Sequence, residues 1–231
     1  MDRDKAYKLF HGLYSTFTHV TFENLHVVPQ TGPLILAVNH MSRIDFPLLC
    51  ATDYRMDWTA FVAKEYKRWK WFANIADGTG MIWIDRSKAD FGAVKKALDW
   101  LKKGGMFVLA PEGTRSRKKQ LLEGKAGIVM IAARAGVPVC TGSITGTENY
   151  MRSFLRFRKP RITVRFSPPV LLPQIDPERR DESLRESTDE VMCRLAAMLP
   201  EKYHGFYKNY PRVQELLNEW KQDPSLKLPE S

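Results

Sequence analysis

The chain is poor in the features that would place it in several large classes. It has three cysteines in 231 residues, Cys50, Cys140 and Cys193. An odd number, widely separated and without zinc-ligand spacing, excludes a disulfide framework and a zinc finger; they read as buried thiols in a reducing cytosol. No apolar run approaches the roughly 18 residues of a membrane-spanning helix. Residues 1–5 are charged and lead into no apolar segment, so no secretory signal is expected. No internal repeat or low-complexity tract is present. No cluster of His, Cys and carboxylate has metal-ligand spacing, so neither a metal nor a cofactor is expected. Acidic residues are also in short supply: Lys plus Arg is 36 against 26 for Asp plus Glu, a formal net charge of +10. That excess points to anionic partners such as nucleic acid, phosphorylated metabolites or an anionic membrane surface.

What remains is ordinary globular composition, 44% hydrophobic and 11% aromatic. At this length roughly 70% of the unfolded surface can be buried, so the fold needs no staple. Tyr7, Phe10, Leu13, Tyr14 and Phe17 step by three or four, which predicts an amphipathic helix over residues 1–19 with an aromatic face. It packs on its own domain or lies on a membrane. Residues 34–38, 58–62, 81–84, 106–110 and 137–144 are short apolar runs that read as buried strands. Phe91, Val94, Leu98 and Leu101 repeat at helical spacing, and Gly104-Gly105 closes that helix. Residues 128–134 form another helix, closed by Gly136. Ile162, Val164 and Phe166 alternate with polar residues, as in a half-exposed edge strand. A late helix runs through Leu184, Val191, Leu195 and Leu199.

Apolar strands alternating with amphipathic helices predict an α/β domain over residues 20–199. Its sheet is mostly parallel and covered by helices on both faces, with residues 200–231 as a peripheral extension. Ligands of such sheets bind at the carboxyl ends of strands, here after Val38, Ile84 and Leu109. After Val38 comes Asn39-His40-Met41-Ser42-Arg43-Ile44-Asp45. On one helix, His40 and Asp45 would stand about 140° apart. They meet only if His40 lies on a loop before the helix that Asp45 and Pro47 signal. After Ile84 come Asp85-Arg86. After Leu109 comes Ala110-Pro111-Glu112-Gly113-Thr114-Arg115: Pro111 stops the strand, Gly113 permits a tight turn, and a guanidinium there can grip a phosphate.

His40-x4-Asp45, then Gly80 to Asp85-Arg86, then Pro111-Glu112-Gly113-Thr114-Arg115 resemble, in order and rough spacing, the glycerolipid acyltransferases of the lysophosphatidate acyltransferase (PlsC-like) type. Leu121-Leu122, Lys125-x-Gly127 and Val137-Pro138-Val139 extend the likeness to about residues 20–170. The chain departs from that pattern at Ala110, where an aromatic usually stands, at Trp83 in place of Phe, and in a fourth block without its common second proline.

The resemblance implies a glycerol-phosphate acyltransferase-like fold. It also implies transfer of an acyl group from acyl-CoA or acyl carrier protein to the free hydroxyl of lysophosphatidate, giving phosphatidate. His40 would be the general base, a role worth ~10²–10⁴ in rate, and Asp45 would hold its tautomer. No acyl-enzyme is implied, and no Gly-x-Ser-x-Gly elbow surrounds Ser42. Arg115 and Arg86 would bind the acceptor's phosphate, with donors from Gly113 and Thr114. Glu112 would accept from a hydroxyl or orient an arginine. Lys125 is a further phosphate contact or a solvated lysine. Other acceptors in the same class are another lysophospholipid, glycerol-3-phosphate or a specialised lipid. A nucleic-acid-binding protein is the rival of another class, but no fingerprint of one is present, so no nucleic-acid partner is expected. An inert lipid-binding relative is disfavoured by the intact His40 and Asp45.

Two stretches interleave cations with aromatics. One holds Lys64, Lys67, Arg68 and Lys70 with Tyr66, Trp69, Trp71 and Phe72. The other holds Arg152, Arg156, Arg158, Lys159, Arg161 and Arg165 with Phe154 and Phe157. With lipid substrates, these favour a cytoplasmic enzyme held peripherally on an anionic membrane.

Overall fold

A computed structural model describes residues 1–45, 47–156 and 158–229, and all side chains among them except those of Cys50, Met151 and Phe154. In chain order the elements are α1 (Arg3–Phe17), β1 (His19–Glu23), β2 (Leu34–Val38), β3 (Trp58–Ala63), α2 (Lys70–Gly78), β4 (Ile82–Ile84), α3 (Phe91–Lys102), β5 (Met106–Leu109), α4 (Gly127–Ala135), β6 (Val139–Thr145), α5 (Tyr150–Phe154), β7 (Arg161–Phe166), α6 (Arg180–Ala197) and α7 (Pro211–Trp220).

The seven strands form one sheet in the order β1-β7-β6-β2-β5-β3-β4. Every pairing is parallel except β6 with β7. All five residues of β2 are buried. Side chains alternate across a strand, so Leu34, Leu36 and Val38 enter one apolar cluster while Ile35 and Ala37 enter another. A strand apolar at every position needs cover on both faces, and the helices supply it. Tyr7 and Tyr14 of α1 and Leu48 and Leu49 of a 3₁₀ segment (Pro47–Ala51) cover the first face. α3, α4 and the start of α6 cover the second.

The helix termini follow their glycines. Gly104 (φ 87°) donates to Leu101 C=O and Gly136 (φ 63°) to Ala132 C=O, in the left-handed conformation that ends a helix at little cost for glycine.

Several expectations are corrected. The apolar residues of α1 do not share one face: Tyr7 and Tyr14 are buried, whereas Leu9, Leu13 and Phe17 are 46%, 42% and 54% exposed. The buried seam of α3 is Ala93, Ala97 and Leu101, and Phe91, in its first turn, is 73% exposed. β7 alternates as expected but lies inside the sheet, between β1 and β6, rather than at an edge. Its outward Arg165 is neutralised there by Glu23 of β1, at 2.7 Å.

Residues 200–229 are not peripheral. Tyr203, Tyr207, Val213, Leu216 and Trp220 close a third apolar cluster on Met192, Leu195 and Leu199, and Asn24 bonds the main chain of Lys227 from the far end of the sequence. Cys140 and Cys193 are buried thiols, and burial pushes both up to about 12. The side chain expected of Cys50 lies outside the described residues.

Candidate active site

β2 ends at the centre of the sheet, and the chain leaves it through Asn39. The Asn39 side chain imitates one more rung of the β2–β6 ladder: Nδ2 donates to Ile144 C=O at 2.8 Å and Oδ1 accepts from Ile144 N–H at 2.6 Å. With that rung filled by a side chain, the main chain at His40 is released from the sheet and turns over its carboxyl end.

His40 Nδ1 lies 3.1 Å from Asp45 Oδ2. The same oxygen accepts from the main-chain N–H of Met41 at 2.8 Å and of Ser42 at 2.7 Å. Asp45 is fully buried, and a carboxylate needs such donors to stay charged there. Asp45 therefore turns back to cap the loop it follows, instead of capping the segment after it, which is a short 3₁₀ turn and not an α-helix. Because a carboxylate only accepts, Nδ1 is the ring nitrogen that donates in this contact, which leaves Nε2 as the outward one. The His40 side chain is 22% exposed. A half-open imidazole oriented by a buried carboxylate can take a proton from a bound hydroxyl.

The β5 end lies beside it, since β2 and β5 pair in register (Ala37 with Leu109). Ser116 N–H donates to His40 C=O at 2.8 Å, which holds the Glu112 to Arg115 turn against His40. Gly113 makes that turn with φ 67°, and the Lys125 side chain lies against it: a Cβ added there would stand 3.0 Å from Lys125 Cδ. Thr114 is exposed and Arg115 half-buried.

Glu112 is the clearest departure. It is buried, with Oε1 accepting from His40 N–H at 3.0 Å and Oε2 from Leu122 N–H at 2.9 Å. Among the described residues its oxygens bond no arginine, and through these two main-chain bonds it ties two loops together. Burial pushes its carboxyl above the ordinary range, opposed by those two bonds.

Arg86 stands apart. It follows β4, three strands from β2 and so roughly 14 Å across the sheet, and its Nη2 is 3.8 Å from Glu65. The structure thus gathers His40, Asp45, Glu112, Gly113, Thr114, Arg115 and Lys125 and leaves Arg86 at the edge. Sequence reasoning missed Asn39, whose amide reads as a loop residue, and Arg43, which sits at an unspecified position of His-x4-Asp. Among the described residues no group of three or more His, Cys, Asp or Glu is placed to hold a metal ion.

A His–Asp pair at the end of the central strand, with an arginine-bearing Glu-Gly-Thr-Arg turn beside it, matches one known family. The family model described as Acyltransferase covers residues 19–145, more than half of the chain, and the chain belongs to that family. Among named relatives, 1-acyl-sn-glycerol-3-phosphate acyltransferase alpha of Mus musculus is 28% identical over 176 residues, 74% of this chain and 61% of its own. The 1-acyl-sn-glycerol-3-phosphate acyltransferase of Escherichia coli (strain K12) is 29% identical over 143 residues, 60% of this chain and 57% of its own. The chain therefore spans about three fifths of the length of these relatives. The crystal structure of the 1-acyl-sn-glycerophosphate acyltransferase PlsC from Thermotoga maritima shares the fold, with a TM-score of 0.60 at 22% identity over 80% of this chain and 76% of that one.

Proposed function

We propose that the chain transfers a fatty acyl group from a thioester, acyl-CoA or acyl carrier protein, to the free hydroxyl of lysophosphatidate, giving phosphatidate. The observation that carries this reading is the His40–Asp45 pair, held against an arginine turn at the carboxyl end of the central strand. The names of the relatives support the acceptor.

In this mechanism His40 Nε2 takes the proton of the acceptor hydroxyl as its oxygen attacks the thioester carbonyl carbon. Asp45 stabilises the imidazolium that forms. The tetrahedral intermediate then collapses, the carbon–sulfur bond breaks, and the departing thiolate takes the proton from His40. Arg115 holds the acceptor's phosphate, with Gly113, Thr114 and Lys125 beside it. Glu112 keeps the two loops in register without touching substrate.

A panel tests the reading: purified protein, one labelled acyl-CoA, and lysophosphatidate, other lysophospholipids and glycerol-3-phosphate as acceptors, separated by thin-layer chromatography. Label in phosphatidate from lysophosphatidate is the expected result. Label only in another product, or only in free fatty acid, overturns it.

Peripheral attachment to an anionic membrane belongs to the same proposal. Among the described residues no helix is long and apolar enough to cross a membrane. Leu9, Leu13 and Phe17 form an open stripe on α1, and Trp71 is exposed among the cations Lys67, Arg68 and Lys70. The second basic stretch supports it less, because Arg165 is paired with Glu23; the Phe154 side chain and Phe157 lie outside the described residues. Co-sedimentation at low salt should carry the protein down with vesicles containing anionic lipid and less with neutral ones. Equal recovery in the supernatant with and without anionic vesicles would refute attachment.

A further inference from the structure

A cavity of about 260 Å³ opens beside the His40–Asp45 pair. Met41 and Ser42, the residues directly after His40, form one wall, and Arg43, Arg115, Thr147 and Glu148 form others. The sequence reading assigned Arg115 to the acceptor's phosphate and gave Arg43 no role.

Most part-buried arginines of this chain are tied down. Arg55 pairs with Asp57, Arg165 with Glu23, and Arg194 and Arg212 with Glu190. Half-buried Arg115 differs: among the described residues its guanidinium has no ion-pair partner, and the exposed Arg43, likewise without one, lines the same cavity. The cavity's carboxylate, Glu148, forms no ion pair with either. Glu148 Oε1 accepts from Tyr203 Oη at 2.7 Å and from Asn149 Nδ2, and Oε2 accepts from Gly146 N–H at 2.8 Å. Thr147 adds a buried hydroxyl with no hydrogen-bond partner among the described residues. Two guanidinium groups lining one cavity, neither ion-paired to its carboxylate, suit an anion that arrives from outside.

We propose that Arg43 is a second guanidinium of the acceptor's phosphate subsite, and that Arg43 and Arg115 together select phosphomonoester over phosphodiester acceptors. A phosphomonoester near neutral pH carries close to two charges and three peripheral oxygens, enough to engage two forks. A phosphodiester carries one charge and two such oxygens. A choline or ethanolamine substituent would also bring a cation between the two arginines. Arg43 is exposed on its outer side and its removal leaves the core untouched, so its loss reports on binding and not on folding.

The proposal rests on the acyl-transfer reading of the site, and its test separates the two. Glycerol-3-phosphate is titrated calorimetrically into the His40→Ala protein, with and without Arg43→Ala or Arg43→Lys; no acyl donor is present. Arg43→Ala is expected to weaken binding by about tenfold or more, with Arg43→Lys between. In protein with His40 intact, Arg43→Ala should lower the ratio of kcat/KM for lysophosphatidate over lysophosphatidylcholine by a similar factor. Absence of glycerol-3-phosphate binding, an affinity within twofold of the parent, or an unchanged ratio overturns the clamp. Arg43-dependent binding in a protein that acylates no lysophosphatidate keeps the clamp and refutes the acyl-transfer reading.

Discussion

Arginine is used in opposite ways in two regions of this molecule. Where α6 meets α7, Arg194 and Arg212 close on Glu190 at 2.7 and 2.8 Å, and Arg212 reaches Glu215 and Glu219 as well. Charge is balanced within the chain and holds the C-terminal residues on the third apolar cluster. At the carboxyl end of the sheet, Arg43 and Arg115 line a cavity without an ion-pair partner among the described residues, although Glu148 lines it too. Equal chemistry thus divides by partner: an arginine satisfied by its own chain is architecture, and one left unpaired around a cavity is kept for a ligand.

The sharpest test of the contrast is to empty the chemical centre. His40→Ala should leave the fold intact and lower kcat by at least ~10²-fold, and Asp45→Asn should follow it through a misheld tautomer. Steady-state acyl transfer decides; more than about a tenth of the parent rate in His40→Ala removes the base from His40.

Next in size, Arg115→Ala should raise the acceptor KM by about tenfold or more while the donor KM barely moves. Arg115→Lys should restore it only in part, because the planar fork is lost. A change confined to the donor KM would place the phosphate elsewhere.

Glu112→Gln falls between the two regions. Both oxygens of Glu112 accept main-chain N–H groups, and the amide can accept only one of them. Unfolding should show a loss of about 1–3 kcal/mol. Assays should show a lower kcat with little change in acceptor KM, since the residue bonds the main chain of His40. A raised KM at unchanged kcat would return Glu112 to the acceptor site.

The smallest effect belongs to the paired arginines. Glu190→Gln should cost about 1–2 kcal/mol at neutral pH and leave both KM values alone. Burial raises the Glu190 carboxyl, but its bonds to Arg212 and Arg194 outweigh that and leave it below the ordinary carboxylate range. The stability it contributes is therefore present above that range and lost as pH falls through the lowered value. Parent and variant melting curves should converge in acid, and a gap that persists there would contradict the assignment.

The parts of the fold legible in the sequence are those set by local physics. Five consecutive apolar residues, 34–38, read as a strand buried on both faces, and Gly104 and Gly136 mark helix ends through a backbone state other residues avoid. His40 and Asp45 were legible through the set of motifs shared with the acyltransferases, the five-residue spacing requiring only that His40 lie on a loop if the two are to meet. What stayed hidden depends on distant partners. β7 looked like an edge because its polar residues alternate, and only Glu23, far back in the sequence, shows how Arg165 sits inside the sheet. Residues 200–229 looked peripheral because their apolar positions are sparse until α6 is set beside them. A sequence also gives the type of a side chain and not its direction, so nothing in it showed that Glu112 bonds the main chain of His40 and Leu122.

The pairing of β1 with β7 also sets a timetable. β1 has β7 as its neighbour, in the register His19 with Arg161 through Glu23 with Arg165. On a ribosome the partner of β1 emerges 138 residues after Glu23, roughly 7–28 s later at 5–20 residues per second. β2, β3, β4 and β5 can meanwhile assemble from a chain that has reached Leu109. Through that interval Val20 and Phe22 wait on an unpaired strand, the kind of edge that recruits other chains. Parallel contacts this distant in sequence also form slowly. β1 is thus made well before the strand that holds it, and slowed translation before residue 161 lengthens its exposure.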